Sequence, residues 1–192
     1  MREGHAVIVP MTKMYTGRGD SGETDLMGGK RVSKHDLGVE ALGDIDELNA
    51  VIGVAMSAIR DPDALAVLHR VQNDLFTVGS DLSIAPGKEL KLPKVSSSHV
   101  RTLEADIARF SPEGPRKFVL PGGSVEVAHL QLARTVARRA ERTVVALSRK
   151  QKVNPHLLEY VNRLSTLLYV LALSVKKESG IEEEHPTYSG RK

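Results

Sequence analysis

Apolar residues recur at helical spacing in five stretches of this chain, and polar or proline residues separate the stretches. A period of about 3.6 residues begins after Asp44, which resembles a capping box together with Glu47 three residues later. Asp61 and Pro62 end that helix and start the next, because Asp favours a helix cap and Pro the first turn. Three further helices are predicted, and they begin at the serines of residues 96–98, after Pro121-Gly122-Gly123 and at Asn154-Pro155.

The connections are short, so the five helices predict an all-α fold, a five-helix bundle. The last helix is apolar nearly all round over residues 167–175, and we expect this part to be buried, either against its own chain or against another subunit. Residues 1–43 lack a sustained period, and their length predicts an N-terminal extension and a ligand-organised loop rather than a tether. With a bundle over residues 44–179 and a polar, mobile tail over residues 180–192, the chain is expected to form a single domain.

The fourth predicted helix carries four arginines and one glutamate within residues 133–142. At 100° per residue, Arg134, Arg138 and Glu141 fall in a narrow arc with Arg142 on its shoulder. This stripe is a solvated face, a set of interface salt bridges, or a clamp for a polyanionic ligand. The residues expected on the opposite, packing face are Val125, Ala128, Leu132, Val136, Ala140 and Leu147.

Composition narrows the classes of function. The 192 residues are 41% hydrophobic and 27% charged with a net charge of +3, and no apolar run approaches the roughly 18 residues that span a bilayer. We therefore expect no membrane contact. The absence of tryptophan disfavours base stacking on nucleic acid, and the absence of cysteine is compatible with a reducing, cytoplasmic location. The apolar residues 6–9 are too short for a signal-peptide core, and residues 1–10 are read as an extension before a start near Met11.

Residues 17–22 match G-x-G-x-x-G but lack the helix that must follow in a dinucleotide-binding fold. The segment is either a flexible loop or a cradle for phosphates, because glycine lets backbone N–H groups approach them closely. Lys30, Arg31 and Lys34, taken alone, are solvated surface charges. Asn162 enters an apolar stripe, so it makes either a structural hydrogen bond or a ligand contact. The seven histidines are scattered without a metal-binding motif, and no metal site of the protein itself is predicted.

Five segments, in this order, resemble the PduO-type ATP:cob(I)alamin adenosyltransferases: YTGRGDSGETDLMGGKRVSKHD, EALGDIDELNAVIG, FVLPGGS, ARTVARRAER and YVNRLSTLLYVLA. They span residues 15–172. The resemblance implies a ferritin-like, cobalamin adenosyltransferase-like five-helix bundle with an N-terminal nucleotide-binding loop. It also implies a homotrimer that binds ATP between neighbouring subunits. The implied reaction transfers the 5′-deoxyadenosyl group of ATP to the cobalt of cob(I)alamin, a reduced corrinoid, and releases inorganic triphosphate.

The resemblance further implies which residues act. Arg138, Arg134, Asp46 and Phe118 match the catalytic set: Asp46 and Arg134 pair across the subunit interface, while Phe118 lines the cobalamin side and helps to displace the lower axial base. The glycine loop departs from the commoner family pattern, for example at Ser21. The ATP-binding residues so implied are Thr16, Gly17, Arg18, Gly19, Thr24, Asp25, Lys34, Arg138, Arg139, Glu141, Arg142 and Asn162.

The residue types agree with this chemistry. Cob(I)alamin is a strong nucleophile, so the protein needs no base or nucleophile of its own and is left to position the reactants and stabilise charge on the departing triphosphate. Mg²⁺ is expected to accompany ATP. A cobalamin reductase and an adenosylcobalamin-dependent acceptor enzyme are candidate partners. The alternative is an ATP-dependent adenosylcobalamin chaperone or nucleotide sensor with little turnover.

Overall fold

The computed structural model describes residues 15–113 and 118–187, and within them the chain forms five helices and one two-stranded sheet. The all-α, five-helix prediction is therefore confirmed. The expected extension over residues 1–10 lies outside the described residues. The elements are β1 (Glu23–Asp25), β2 (Arg31–Ser33), α1 (Leu37–Met56), α2 (Pro62–Leu82), α3 (Ser97–Phe110), α4 (Val125–Ser148) and α5 (Pro155–Glu178).

Local capping explains where four of the helices begin. The side chains of Asp61, Ser124 and Asn154 accept backbone N–H groups in the first turns of α2, α4 and α5. At α3 the N–H of Ser96 donates to Nδ1 of His99 at 3.1 Å. The predicted starts at Asp61-Pro62, at the serines of residues 96–98 and at Asn154-Pro155 are confirmed.

The predicted start of the first helix at Asp44 is wrong, because α1 begins at Leu37. Its cap is Asp36, whose Oδ1 accepts the N–H of Gly38 at 2.8 Å. Two glycines within residues 37–43 lower the helix propensity and hide this turn from the sequence pattern. Tertiary packing outweighs the propensity, since Ala41 is fully buried. Asp44 lies inside the helix and accepts a hydrogen bond from α4 instead of forming a capping box.

The packing face of α4 is only partly the predicted one. The last three of the six predicted residues are buried, whereas Val125, Ala128 and Leu132 are exposed, so the prediction is wrong for these three. Apolar residues occupy much of the helix circumference, and spacing alone therefore permits more than one apolar face. The buried apolar residues that the prediction missed are Val127, Leu130, Ala133, Ala137 and Val144.

The helices neighbour one another in the order α2, α1, α4, α5 and α3. Ion pairs of Arg70 with Asp106 and of Arg109 with Asp63 join α3 back to α2. The middle of α5 is buried within its own chain, which resolves the two alternatives left by its apolar pattern. In this order α1 and α4 lie between α2 and α5. A groove between α1 and α2 and a cleft between α4 and α5 therefore lie on different parts of the surface. None of the helices described is both long and apolar enough to cross a membrane.

A short antiparallel hairpin organises the N-terminal loop. Thr24 of β1 lies opposite Val32 of β2, and Val32 is buried. Met27 anchors the hairpin to the end of α2, because its N–H donates to the carbonyl of Ser83 at 2.9 Å and its carbonyl accepts the N–H of Ala85 at 2.9 Å. The glycine segment that precedes β1 is thus attached to a fixed support on the α1–α2 side of the bundle.

Candidate functional site

The arginine stripe of α4 faces α5 across an open cleft. Arg138, Glu141 and Arg142 line this cleft together with Asn162 of α5. The amide Nδ2 of Asn162 donates to Oε1 of Glu141 at 2.6 Å, and Nη1 of Arg142 donates to the carbonyl of Arg138 at 3.2 Å. Four of the residues expected to bind ATP therefore lie on one surface.

Asn162 differs from its prediction in one respect. It was expected to enter an apolar stripe as a buried amide, but it is exposed. Its oxygen accepts from Nη1 of Arg163 at 2.9 Å while its nitrogen donates to Glu141. It therefore makes a structural hydrogen bond at the edge of the cleft, which is one of the two alternatives, and its contact with a ligand stays a prediction.

A second cleft, of about 330 Å³, adjoins the first and carries Phe118. Arg138 lines both clefts, and Arg134 lines the second. The Phe118 side chain is 81% exposed, although a phenyl ring is large and apolar. Nε of Arg134 donates to Oε1 of the buried Gln131 at 2.7 Å, which fixes the direction of the guanidinium.

Besides Val119, four residues that line the Phe118 cleft are not predicted from the sequence. Gln131 lies three residues before Arg134, the spacing at which helical side chains meet, so this signal was available. The other three share a face of α5 with Asn162 at helical spacing, but nothing in their residue types indicates a ligand. They are Ser165, Thr166 and Tyr169.

Arg139 is directed away from these clefts. Its guanidinium pairs with Glu47 of α1, and its Nε lies 3.6 Å from Oδ1 of Asp44. The hydrogen bond that Arg139 donates to Glu47 is the main cause that raises the pKa of Arg139 above its ordinary value. Arg139 thus ties α4 to α1 within the chain, and its ATP contact stays a prediction.

The N-terminal loop brings most of its predicted residues together. Nη2 of Arg18 lies 3.1 Å from Asp25. The N–H of Lys34 donates to the carbonyl of Gly22 at 2.8 Å, and Nζ of Lys34 would lie 3.0 Å from a Cβ placed on Gly19. Gly17 has φ of +69°, which favours glycine at that turn. Thr16 and Thr24 flank this arrangement, at the loop entrance and on β1.

Arg31 organises the loop, although the sequence taken alone predicts only a solvated charge at this position. Its Nε donates to Glu23 at 2.9 Å, its Nη1 lies 3.5 Å from Asp25, and its Nη2 donates to the carbonyl of Arg18. The hydrogen bond with Glu23 is the main cause that raises the pKa of Arg31. Its position opposite acidic β1 residues becomes visible only once the hairpin register is known.

Asp46 lies on another surface, in the groove between α1 and α2. This groove has a volume of about 540 Å³ and an apolar lining to which Met27 of the hairpin contributes. Phe76, on the same groove, is 72% exposed. Asp46 has no ion-pair partner in residues 15–113 and 118–187. Among the residues that the structure describes, none lines both this groove and the α4–α5 clefts.

Apart from Arg139, the predicted site residues are therefore divided between two surfaces of one chain. We call the loop of residues 15–34 and the groove with Asp46 the loop half-site, and the α4–α5 clefts the helix half-site. Within the described ranges, no hydrogen bond joins residues 15–34 to α4 or α5. Nor do any three His, Asp or Glu side chains of these ranges cluster as metal ligands.

Comparison with known proteins identifies the relatives of this arrangement. A family model described as cobalamin adenosyltransferase matches residues 14–175. The chain is 42% identical over 175 residues to a corrinoid adenosyltransferase of Bacillus subtilis, covering 88% of this chain and 89% of that protein.

Solved structures give the same result. A variant PduO-type ATP:corrinoid adenosyltransferase from Lactobacillus reuteri complexed with ATP has a TM-score of 0.85 and 31% identity, over 91% of this chain and 100% of that one. Another variant, complexed with cobalamin and ATP, has a TM-score of 0.83 and 32% identity, over 92% of this chain and 100% of that one.

Proposed function

We propose the following reaction for this chain, which belongs to the cobalamin adenosyltransferase family: it transfers the 5′-deoxyadenosyl group of ATP to the cobalt of a reduced corrinoid. The electron pair of Co(I) forms the Co–C5′ bond, and the C5′–O bond breaks with its electrons leaving on inorganic triphosphate. The chain is an enzyme of the ATP:corrinoid adenosyltransferase type. The single observation that supports assigning this reaction to particular residues is that Arg138 lines both the Phe118 cleft and the Glu141–Asn162 cleft.

The helix half-site stabilises the leaving group. The Arg138 guanidinium has no ion-pair or side-chain hydrogen-bond partner among the described residues, so it is available to a triphosphate. Arginine keeps its charge at any physiological pH and offers a planar fork of donors. One charge-assisted hydrogen bond contributes about 1.5–3 kcal/mol. Because negative charge grows on the triphosphate as the bond breaks, such a contact strengthens in the transition state.

The site is completed by two subunits of a homotrimer. The loop half-site of one subunit meets the helix half-site of its neighbour, and Asp46 of one subunit pairs with Arg134 of the other. Three observations support this arrangement: the two half-sites lie on separate surfaces, Asp46 lacks a partner in the described part of its own chain, and the groove around it is apolar. A head-to-tail contact of two different surfaces closes into a ring when the rotation permits.

Phe118 occupies the corrinoid side. An exposed apolar ring at the cleft that Arg134 and Arg138 line can exclude both water and the lower axial base from cobalt. Loss of that axial ligand makes cob(II)alamin easier to reduce to the nucleophilic Co(I) state. The ring contributes by shape and apolarity alone, since it carries no charge or proton.

Mg²⁺ enters with the nucleotide. The Asp25 carboxylate is already paired with Arg18 and Arg31, so the loop offers a metal few unneutralised oxygens. This fits a cation held mainly by the phosphates of ATP, as Mg²⁺ often is. We place the enzyme in the reducing cytoplasm, where a cobalamin reductase supplies electrons and an adenosylcobalamin-dependent enzyme accepts the product.

The test is an anaerobic assay with chemically reduced cob(I)alamin, ATP and Mg²⁺. We expect the cob(I)alamin absorbance to disappear with one triphosphate formed per cobalt and many turnovers per chain. Tight ATP binding with no more than one turnover per site would favour the chaperone or sensor alternative. An absence of both binding and turnover would contradict the proposed reaction.

A further inference from the structure

The chain beyond α5 returns to the segment that carries Phe118. Gly180, with φ of +64°, reverses the chain, and the N–H of Ile181 donates to the carbonyl of Lys176 at 3.2 Å. Residues 181–185 then run along residues 118–123. The methyl Cγ2 of Ile181 lies 3.1 Å from the position that a Cβ on Gly123 would take, so the two segments are in close contact there.

Two hydrogen bonds hold this tail to the Phe118 segment. The N–H of Leu120 donates to the carbonyl of Glu184 at 2.8 Å. The carbonyl of Phe118 lies 2.8 Å from Nδ1 of His185, and since a carbonyl only accepts, Nδ1 carries the proton and donates. One bond therefore fixes the main chain at Phe118 and the other fixes it two residues later.

These bonds matter because the Phe118 ring has little packing of its own. With 81% of its side chain exposed, neighbouring side chains do not set the ring's height above the cleft. The direction of the ring depends on the main chain of residues 118–120, and the tail supplies the two hydrogen bonds just described to that main chain. A ring that displaces an axial ligand must be held close to cobalt, and small displacements reduce such an effect strongly.

We propose that residues 181–185 are a positioning element for Phe118, with His185 as its main side-chain contact. The inference rests on the proposed function, in which Phe118 excludes the axial ligand of cob(II)alamin. The tail does not touch the reacting atoms. It acts through the Phe118 main chain, so its loss lowers the fraction of cob(II)alamin without an axial ligand more than it lowers transfer to cobalt that has already been reduced.

The test compares two assays of the full chain. One supplies cob(II)alamin with a reductant, and the other supplies pre-reduced cob(I)alamin, which requires no displacement of an axial base. For His185→Ala we expect the ratio of the first rate to the second to fall about 2- to 10-fold, the range that one neutral hydrogen bond supplies. His185→Asn places an amide N–H near the position of Nδ1–H and should restore most of the ratio.

A spectroscopic readout accompanies the rates. Electron paramagnetic resonance of bound cob(II)alamin with ATP reports axial nitrogen through its splitting of the signal, and His185→Ala should retain more of that splitting than the parent. The matched control is Glu183→Ala, an exposed tail residue without a side-chain hydrogen bond in the described ranges, which should keep the parent ratio.

The outcomes separate the two proposals. A parent-like rate ratio and spectrum in both His185→Ala and a chain that ends at Gly180 would overturn the positioning role of the tail while leaving the transferase intact. An equal fall of both rates in His185→Ala would also overturn it, because a merely structural loss affects both assays alike. A parent chain that is inactive with cob(I)alamin would overturn the proposed function, and this inference with it.

Discussion

Arg138 and Arg139 are adjacent on α4 but have different surroundings, so alanine at each position separates catalysis from stability. The guanidinium of Arg138 lines both α4–α5 clefts without an ion pair in the described ranges. That of Arg139 is paired with Glu47 and Asp44 of α1. We expect Arg138→Ala to lower kcat/KM with an unchanged melting temperature, and Arg139→Ala to lower the melting temperature and to lower kcat/KM less than Arg138→Ala does.

The magnitude for Arg138 follows from the contacts it can make. One or more charge-assisted hydrogen bonds to the triphosphate, at about 1.5–3 kcal/mol each, correspond to a loss of about 10- to 150-fold in kcat/KM per bond. Removing the side chain breaks no hydrogen bond or ion pair among the described residues, so the unfolding free energy should stay within about 0.5 kcal/mol of the parent. Arg138→Lys keeps the charge but not the fork, and its kcat/KM should fall between those of the parent and the alanine variant.

The assay measures the initial rate of cob(I)alamin consumption at varied ATP, with calorimetric melting of the same preparations. Arg139→Ala serves as the matched control because it removes the same group one position along the same helix. Parent kcat/KM in Arg138→Ala would remove this residue from the site. A larger catalytic loss in Arg139→Ala than in Arg138→Ala, at an unchanged melting temperature, would refute the separation of the two arginines.

Three further predictions follow from other parts of the molecule. Phe118→Ala should lower turnover from cob(II)alamin on the order of 10-fold or more with little change in the Kd of ATP, and equal losses of both would count against its role. Asp46→Arg should dissociate the proposed oligomer in sedimentation, since facing like charges cost several kcal/mol. The double variant Asp46→Arg with Arg134→Asp should associate again. If the single variant sediments like the parent, the proposed pair of Asp46 with Arg134 is contradicted. Tyr160→Phe should lower the unfolding free energy by about 1–3 kcal/mol, because its buried hydroxyl donates to a carboxylate of α2 at 3.0 Å, while the exposed Tyr15→Phe should not. Burial raises the pKa of Tyr160, so the folded state binds the phenol proton more tightly than the unfolded state does. The difference in unfolding free energy between the parent and Tyr160→Phe should therefore be constant below pH of about 10 and become smaller above it. A difference that grows above that pH would contradict the assignment.

Local signals made most of the helix positions predictable. The pairs Asp61-Pro62 and Asn154-Pro155 act within one turn of the chain, so their effect does not depend on the rest of the fold. The start of α1 depended on close packing of a glycine-rich turn against α4, which local propensity does not contain. The exposed side of α4 was mistaken for the same reason: Leu132 has the right spacing to be buried, and only the position of the neighbouring helices decides that it is not.

The candidate site was predictable only through the resemblance of five segments to one family. Periodicity placed Arg134, Arg138 and Glu141 on one face, but the residues across from that face lie on α5, more than twenty positions later in the sequence. Arg139 has the same side chain as Arg138, and no sequence pattern predicts that its ion-pair partners lie on α1. The division into two half-sites is a property of the folded surface.

Mixing two inactive chains tests directly whether the site is shared between subunits. Arg138→Ala removes the helix half-site of one chain and Lys34→Ala impairs the loop half-site of another, so each alone should turn over poorly. In a mixed trimer, isolated with a different affinity tag on each chain, one of the three interfaces joins two intact half-sites, and about one third of the parent activity should return. Mixed trimers no more active than the separate variants would contradict a site shared between subunits.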